Sequence, residues 1–256
     1  MNNTHEKNFL DAAPQARAFN LSRIALLLDV DGTLLDLASR PQDVHVPEEL
    51  RGVLQRLARC AHCALALVSG RPIAQLDALF APLKLATIGC HGAEMRVQPD
   101  AQIRRHPPLT DEVRRDLLAL ASQFPGALLE DKRCSIALHF RKMPALERPL
   151  KQAAEVFAAA HPALELLSGK AVIEFKQRGY DKATACAELL QERPFRGRTP
   201  VFLGDDITDE RVFRLLPELS GVGISIGCLF EGANFVLRSP AAVRQWLREL
   251  AEDCAA

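Results

Sequence analysis

The sequence predicts an α/β fold: a Rossmann-like, doubly wound, mostly parallel sheet with a smaller α+β unit inserted into it. Three observations carry this. Short apolar runs end in a glycine or a polar residue, as buried parallel strands do where they leave a sheet. Helix-periodic segments lie between most of those runs, which implies right-handed crossovers. The middle third breaks the alternation with a helix–strand–strand–helix–strand–strand order, a pattern of antiparallel pairing.

In chain order, residues 24–28 read as the first strand, running out into Asp29-Val30-Asp31-Gly32-Thr33. Residues 47–58 are helix-periodic, and 64–68 form a strand that ends at Ser69-Gly70-Arg71. A helix over 72–80 and a strand over 85–88 follow, ending at Gly89. After the insertion come a helix at 182–192 and a strand at 200–203 before Gly204-Asp205-Asp206. A helix at 208–216 and strands at 222–226 and 233–237 complete the alternation. Ser239-Pro240, a cap residue before a proline at the first helical position, opens the last helix, which runs to about residue 253. In the insertion, 110–124 and 144–160 are amphipathic helices. Residues 127–130, 134–141, 164–167 and 171–176 are strands, the last two joined by a Ser168-Gly169-Lys170 hairpin. Pro107-Pro108 and Gln177-Arg178-Gly179 mark its borders, so the core is expected at 1–108 and 177–256 and the inserted cap at 109–176.

The chain has 256 residues, 48% hydrophobic and 25% charged, enough for a sizeable core plus an insertion. Its 32 basic residues balance 32 acidic ones, so no overall field favours nucleic acid or a membrane. No signal-peptide layout and no membrane-length apolar run are present, and a cytoplasmic location is expected. Assembly is expected to be monomeric, or at most a weak dimer. The seven cysteines are odd in number and scattered, and Cys60-Ala61-His62-Cys63 reads as ordinary thiols in a helix-to-strand turn.

In an open α/β sheet, ligands bind beyond the carboxyl ends of the strands. Four polar clusters fall there: Asp29 with Asp31, Ser69, the Lys182 segment, and Asp205, Asp206 and Asp209. Carboxylates at the end of an apolar strand are costly unless paired, and a divalent cation with a phosphate is a natural partner. Asp29 and Asp205 can supply carboxylate ligands to Mg²⁺, with a backbone carbonyl near Asp31 completing the set. A carboxylate can attack phosphorus, a second can move the proton, and Ser69 and Lys182 can hold phosphoryl oxygens. Asp206 stays open between metal shell and structure. Glu210 stays open between function and a first-turn acid favoured by the helix dipole.

These four clusters, in order, resemble the four motifs of the haloacid dehalogenase superfamily of phosphatases. The resemblance implies Asp29 as nucleophile, Asp31 as acid/base, and the later aspartates as servants of Mg²⁺. The insertion lies between the second and third motifs, as in the superfamily's second cap class. Within it, Gly89-Cys90-His91-Gly92-Ala93-Glu94, Lys132, Leu138-His139-Phe140-Arg141, Gly169-Lys170-Ala171-Val172-Ile173-Glu174 and Gly179-Tyr180-Asp181-Lys182 resemble segments of the trehalose-6-phosphate phosphatases. That resemblance implies a sugar-phosphate substrate, with Thr33, Arg71, His91, Glu94, Lys132, His139, Arg141, Lys170 and Glu174 as its candidate contacts. Phe140 and Ala183 stand where tyrosine and glycine are common in that family. The alternatives are a phosphatase for sucrose phosphate or hexose phosphates and, in another class, a phosphoaspartate signalling module. A nucleotide-binding ATPase or kinase is disfavoured, because neither a Gly-x-x-x-x-Gly-Lys-Ser/Thr segment nor Gly-x-Gly-x-x-Gly occurs.

Overall fold

The computed structural model describes residues 14–38, 43–60, 64–169 and 171–252. The chain divides into two units, one running to Arg104 and resuming at Asp181, the other spanning Arg105–Tyr180. The first begins with β1 (Ile24–Asp29), α1 (Glu48–Arg59), β2 (Ala64–Val68), α2 (Ile73–Phe80), β3 (Ala86–Gly89), β4 (Glu94–Arg96) and the two-residue β5 (Arg104–Arg105). The second supplies α3 (Asp111–Ser122), β6 (Leu128–Asp131), β7 (Ser135–His139), α4 (Glu147–Ala160), β8 (Leu164–Gly169) and β9 (Val172–Gln177). The first unit then closes with α5 (Lys182–Leu189), β10 (Thr199–Gly204), α6 (Glu210–Leu215), β11 (Val222–Ile226), β12 (Phe235–Leu237) and α7 (Pro240–Glu252).

The large sheet has the order β12-β11-β10-β1-β2-β3-β4-β5. β1 lies at its centre, parallel to β10 on one side and to β2 on the other. Its residues are buried on both faces, which explains the unbroken Ile-Ala-Leu-Leu-Leu run. Leu26 and Leu28 pack into a core that includes Leu54 and Leu57 of α1, Leu76 of α2 and Leu247 of α7. Ala25 and Leu27 face the other way, into a core with Ala185 and Leu189 of α5 and Phe213 of α6. Chain order reverses between β1 and β10, and such a switch point leaves a crevice at the strand ends.

Three elements differ from the sequence expectation. β4 was not anticipated: a tight turn at Cys90–Gly92 sends the chain back antiparallel to β3, which needs no crossover helix. The expected helix over 208–216 starts as a single 3₁₀ turn, Ile207–Asp209, because an Asp206–Asp209 capping box closes it; Pro217 then stands in a second 3₁₀ turn that follows α6. The last strand is shorter than 233–237, since Asn234 turns its side-chain oxygen to the Gly223 N–H. Cys60 is disulfide-bonded, which corrects its reading as an ordinary thiol; residues 61–63 lie outside the described part.

The second unit is a four-stranded antiparallel sheet, β6-β7-β9-β8. Ile136, Leu138, Ile173 and Phe175 point to the helix side and pack with Leu117, Leu120 and Leu150. The period of two puts Ser135, Ala137, Glu174 and Lys176 on the opposite face. The unit extends past 109–176 because its flanks are tied in. The Leu109 N–H donates to the Arg133 carbonyl, Lys176 Nζ to the Tyr180 carbonyl, and the Tyr180 hydroxyl to the Cys134 carbonyl. Among the described residues, no helix is long and apolar enough to cross a membrane.

β4 also carries Arg96, whose guanidinium is buried against Asp77 of α2 at 2.6 and 2.7 Å and against the Leu85 carbonyl. Removing the carboxylate strands a buried charge, whereas removing the arginine does not. Asp77→Ala is therefore expected to lower unfolding stability by about 2–3 kcal/mol, and Arg96→Met in the same background to recover part of it. Urea denaturation of the two variants checks this; equal or greater loss in the double variant would contradict it.

Candidate active site

Each polar cluster expected from the sequence is delivered by an element end at the switch point. β1 ends in Asp29, β2 gives way to Ser69, β10 to Asp205, and Lys182 is the first residue of α5. After β1 the chain folds into a tight loop. The Leu34 and Leu35 N–H groups both donate to the Val30 carbonyl, and Gly32 N–H donates to the Leu35 carbonyl. Gly32 sits at φ +88°, and a Cβ there would lie 2.2 Å from Asp205 Oδ2, so only glycine fits. Thr33 is fully buried, with its hydroxyl 3.3 Å from Asp205 Oδ1.

Asp29, Asp205 and Asp209 each offer a carboxylate oxygen within 4.8 Å of the others, and all three are buried. Lys182 Nζ donates to Asp29 Oδ1 and to Asp209 Oδ1, both at 2.7 Å. Asp209 turns its other oxygen to the backbone N–H groups of Asp205 and Asp206, at 3.0 and 3.1 Å. It is thus a hub that holds the loop after β10 and the lysine together. The single ammonium thus bonds directly to two of the three carboxylates. Burial, opposed by Lys182 and reinforced by Asp209 and Asp205, pushes the Asp29 carboxyl well above the usual range. For Lys182, burial alone would lower the value, but Asp209 and Asp29 outweigh it and raise it above that of a free lysine. A hard divalent cation fits this all-oxygen cluster of carboxylates.

Asp31 stands apart from that cluster. Its carboxylate accepts two hydrogen bonds from Arg71, Nε at 2.6 Å and Nη2 at 2.7 Å. The Arg71 N–H donates to Ser69 Oγ at 3.1 Å. The His91 turn is zipped to the same loop, His91 N–H to the Ser69 carbonyl and Cys90 N–H to the Arg71 carbonyl. Cys90 and His91 both take positive φ, and the His91 ring comes so close to Gly70 that a Cβ would lie 2.3 Å from Nε2. Glu94, a candidate substrate contact, is buried with Oε2 on the Ile73 N–H, where it caps α2. That contact relieves Ser69 of the capping role its position before α2 also allowed.

In the second unit, Glu174 accepts from Lys132 Nζ at 2.8 Å and from the Ser135 hydroxyl at 2.5 Å, both on the polar face of the sheet. His139 Nε2 lies 2.9 Å from Glu130 Oε2. Arg141 is exposed, and Lys170 lies outside the described residues. Glu130 and Ser135 were not singled out from the sequence, although strand alternation with Lys132 and Glu174 carries the signal.

The close approach at Gly32 makes a sharp test. Gly32→Ala is expected to cost about 1–3 kcal/mol of stability from the positive φ alone, and to displace Asp205 as well. Thermal unfolding, together with cation-induced stabilisation as a readout of the displaced carboxylate, checks both. A variant with wild-type stability and wild-type cation response would contradict the geometry.

Comparison with known proteins identifies the family. The trehalose-phosphatase family profile matches residues 27–239. The chain is 40% identical to trehalose-6-phosphate phosphatase of Escherichia coli, over 88% of this chain and 86% of that protein. It is 38% identical to a probable trehalose-phosphate phosphatase of Sinorhizobium fredii, over 83% and 81%. In fold it resembles the C-terminal domain of C. albicans trehalose-6-phosphate phosphatase, with TM-score 0.81 at 20% identity over 93% and 94% of the two chains. On the family match and the identity to the bacterial enzymes, the chain belongs to the trehalose-phosphatase family.

Proposed function

We propose that this phosphatase hydrolyses trehalose 6-phosphate to trehalose and phosphate, through an aspartyl phosphate on Asp29 and with Mg²⁺. The observation that carries the chemistry is Lys182 bridging Asp29 and Asp209 beside Asp205 at the sheet's switch point. The sugar assignment rests on the names of the bacterial relatives.

The cation would be held by Asp29, Asp205 and the Asp31 backbone carbonyl, with Asp209 supporting from behind through its bonds to the loop. Bound there, Mg²⁺ would supply positive charge that keeps Asp29 ionised and offsets charge on the phosphoryl oxygens. Asp29 attacks phosphorus and the bond from phosphorus to the sugar oxygen breaks. Asp31 gives that oxygen its proton, then takes one from the water that attacks the aspartyl phosphate. Arg71 grips both Asp31 oxygens through two hydrogen bonds, and Asp31 carries its proton to the sugar oxygen once that grip has opened on one of them. Ser69 and Lys182 hold the phosphoryl oxygens, the lysine also keeping Asp29 oriented. Thr33 acts through Asp205, and His91 through the Ser69–Arg71 loop it braces.

The inserted unit acts as the lid and supplies sugar selectivity. Lys132, His139, Arg141, Lys170 and Glu174, with Glu130 and Ser135, give it the mixture of donors and acceptors that a polyhydroxylated ligand needs.

Phosphate release from trehalose 6-phosphate should require added Mg²⁺, vanish with chelator and return on replenishment. Asp29→Asn should lower kcat by more than about 10³-fold. An active Asp29→Asn protein would sink the mechanism. Turnover of glucose 6-phosphate or sucrose phosphate with none of trehalose 6-phosphate would sink the substrate assignment.

A further inference from the structure

Lys182 opens α5, so its ammonium is placed only as well as that helix start is placed. Asp181 precedes it and is engaged at three points. Its Oδ1 accepts the Thr184 N–H at 2.8 Å and caps the helix. Its Oδ2 accepts from Arg211 Nη1 at 2.9 Å. Its backbone carbonyl lies against Gly92, where a Cβ would sit 2.4 Å away. Arg211 stands in the first turn of α6, two residues after Asp209. The start of α5 and the start of α6 are therefore joined twice, by Lys182 to Asp209 on the buried side and by Asp181 to Arg211 on the outer side. Capping needs only one oxygen, and asparagine caps as well as aspartate. The second oxygen and the charge of Asp181 are surplus to capping and are spent on Arg211. The pair is 25% exposed at Asp181 and 56% at Arg211, a setting in which an ion pair adds little to overall stability. What it can secure is the relative placement of two helix starts.

We propose that Arg211 is a positioning residue for phosphoryl transfer: by gripping Asp181 it fixes α5 against α6 and holds the Lys182 ammonium on Asp29 and Asp209. The inference rests on the role given to Lys182 above.

The test compares Arg211→Ala, Asp181→Asn, their double variant, Arg211→Lys and Lys182→Met in steady-state hydrolysis of trehalose 6-phosphate. Arg211→Ala and Asp181→Asn should each lower kcat on the order of fivefold with KM changed less than about twofold, since misplacement of a catalytic group acts on the chemical step. The double variant should be no slower than either single one, because both remove one interaction. Arg211→Lys should recover part of the loss. The gap between wild type and Arg211→Ala should close in about 1 M salt, where screening reaches about 3 Å. Single variants that turn over at the wild-type rate, or losses that multiply in the double variant, would overturn the proposal, whatever the melting temperatures. Lys182→Met, expected to lose more than about 10²-fold, separates the two readings. If it is inactive while Arg211→Ala and Asp181→Asn are unimpaired, the positioning role alone fails. If it keeps full activity, the reading of the site fails with it.

Discussion

Lys182 donates to Asp29 and Asp209 at 2.7 Å in a place almost closed to solvent, with Asp205 alongside. A buried charge is tolerated only when it is paired and hydrogen-bonded, as Lys182 is by Asp29 and Asp209. The surrounding architecture follows from keeping that arrangement in register. β1 and β10 must be neighbours so that Asp29 and Asp205 meet. The loop after β1 must contain glycine, because Asp205 occupies the space a side chain would take. Asp209 must spend one oxygen on two backbone N–H groups so that its other oxygen stays aimed at the lysine. The packing around this cluster is what keeps its carboxylates and its lysine together.

Much of this was legible in the chain. Apolar runs such as 24–28, 64–68 and 222–226 declare buried strands, and the acids, serine and lysine beyond them declare the site, because both signals are local. What escaped were consequences of distant partners. Glu94 was singled out as a substrate contact, and that it also accepts the first N–H of α2 from its place on β4 was not foreseen. β4 itself is too short and too polar, as Glu-Met-Arg, to read as a buried strand, and Arg96 is buried only because Asp77 and the Leu85 carbonyl receive it. The Arg71 grip on Asp31 spans two motif loops that no spacing rule connects. The Cys60 disulfide likewise escaped, because its spacing reads as that of ordinary thiols.

The inserted unit shows the complementary case. Its strands are half apolar, and the alternation that sends Ile173 and Phe175 to the helices sends Glu174 and Lys176 to the other face. Sequence periodicity therefore sorts its residues into scaffold and polar face with little ambiguity. It does not reveal that Lys132 and Ser135 both converge on Glu174, or that Glu130 faces His139. Such networks set the orientation of donors and acceptors, which is the property that discriminates among sugars.

The central pairing of β1 with β10 joins Ile24 to Thr199, with the whole insertion between them. The inserted unit closes its own sheet from nearby hairpins, β6 with β7 and β8 with β9. On a ribosome these two facts impose a timetable. A nascent chain that has emerged as far as Tyr180 already holds every strand of the inserted sheet. It still lacks the neighbour on one flank of β1, and with it Lys182, Asp205 and Asp209. Long-range closure costs more chain entropy than local pairing. The candidate site is thus a late feature of synthesis, and a product cut before Asp209 lacks part of its carboxylate cluster.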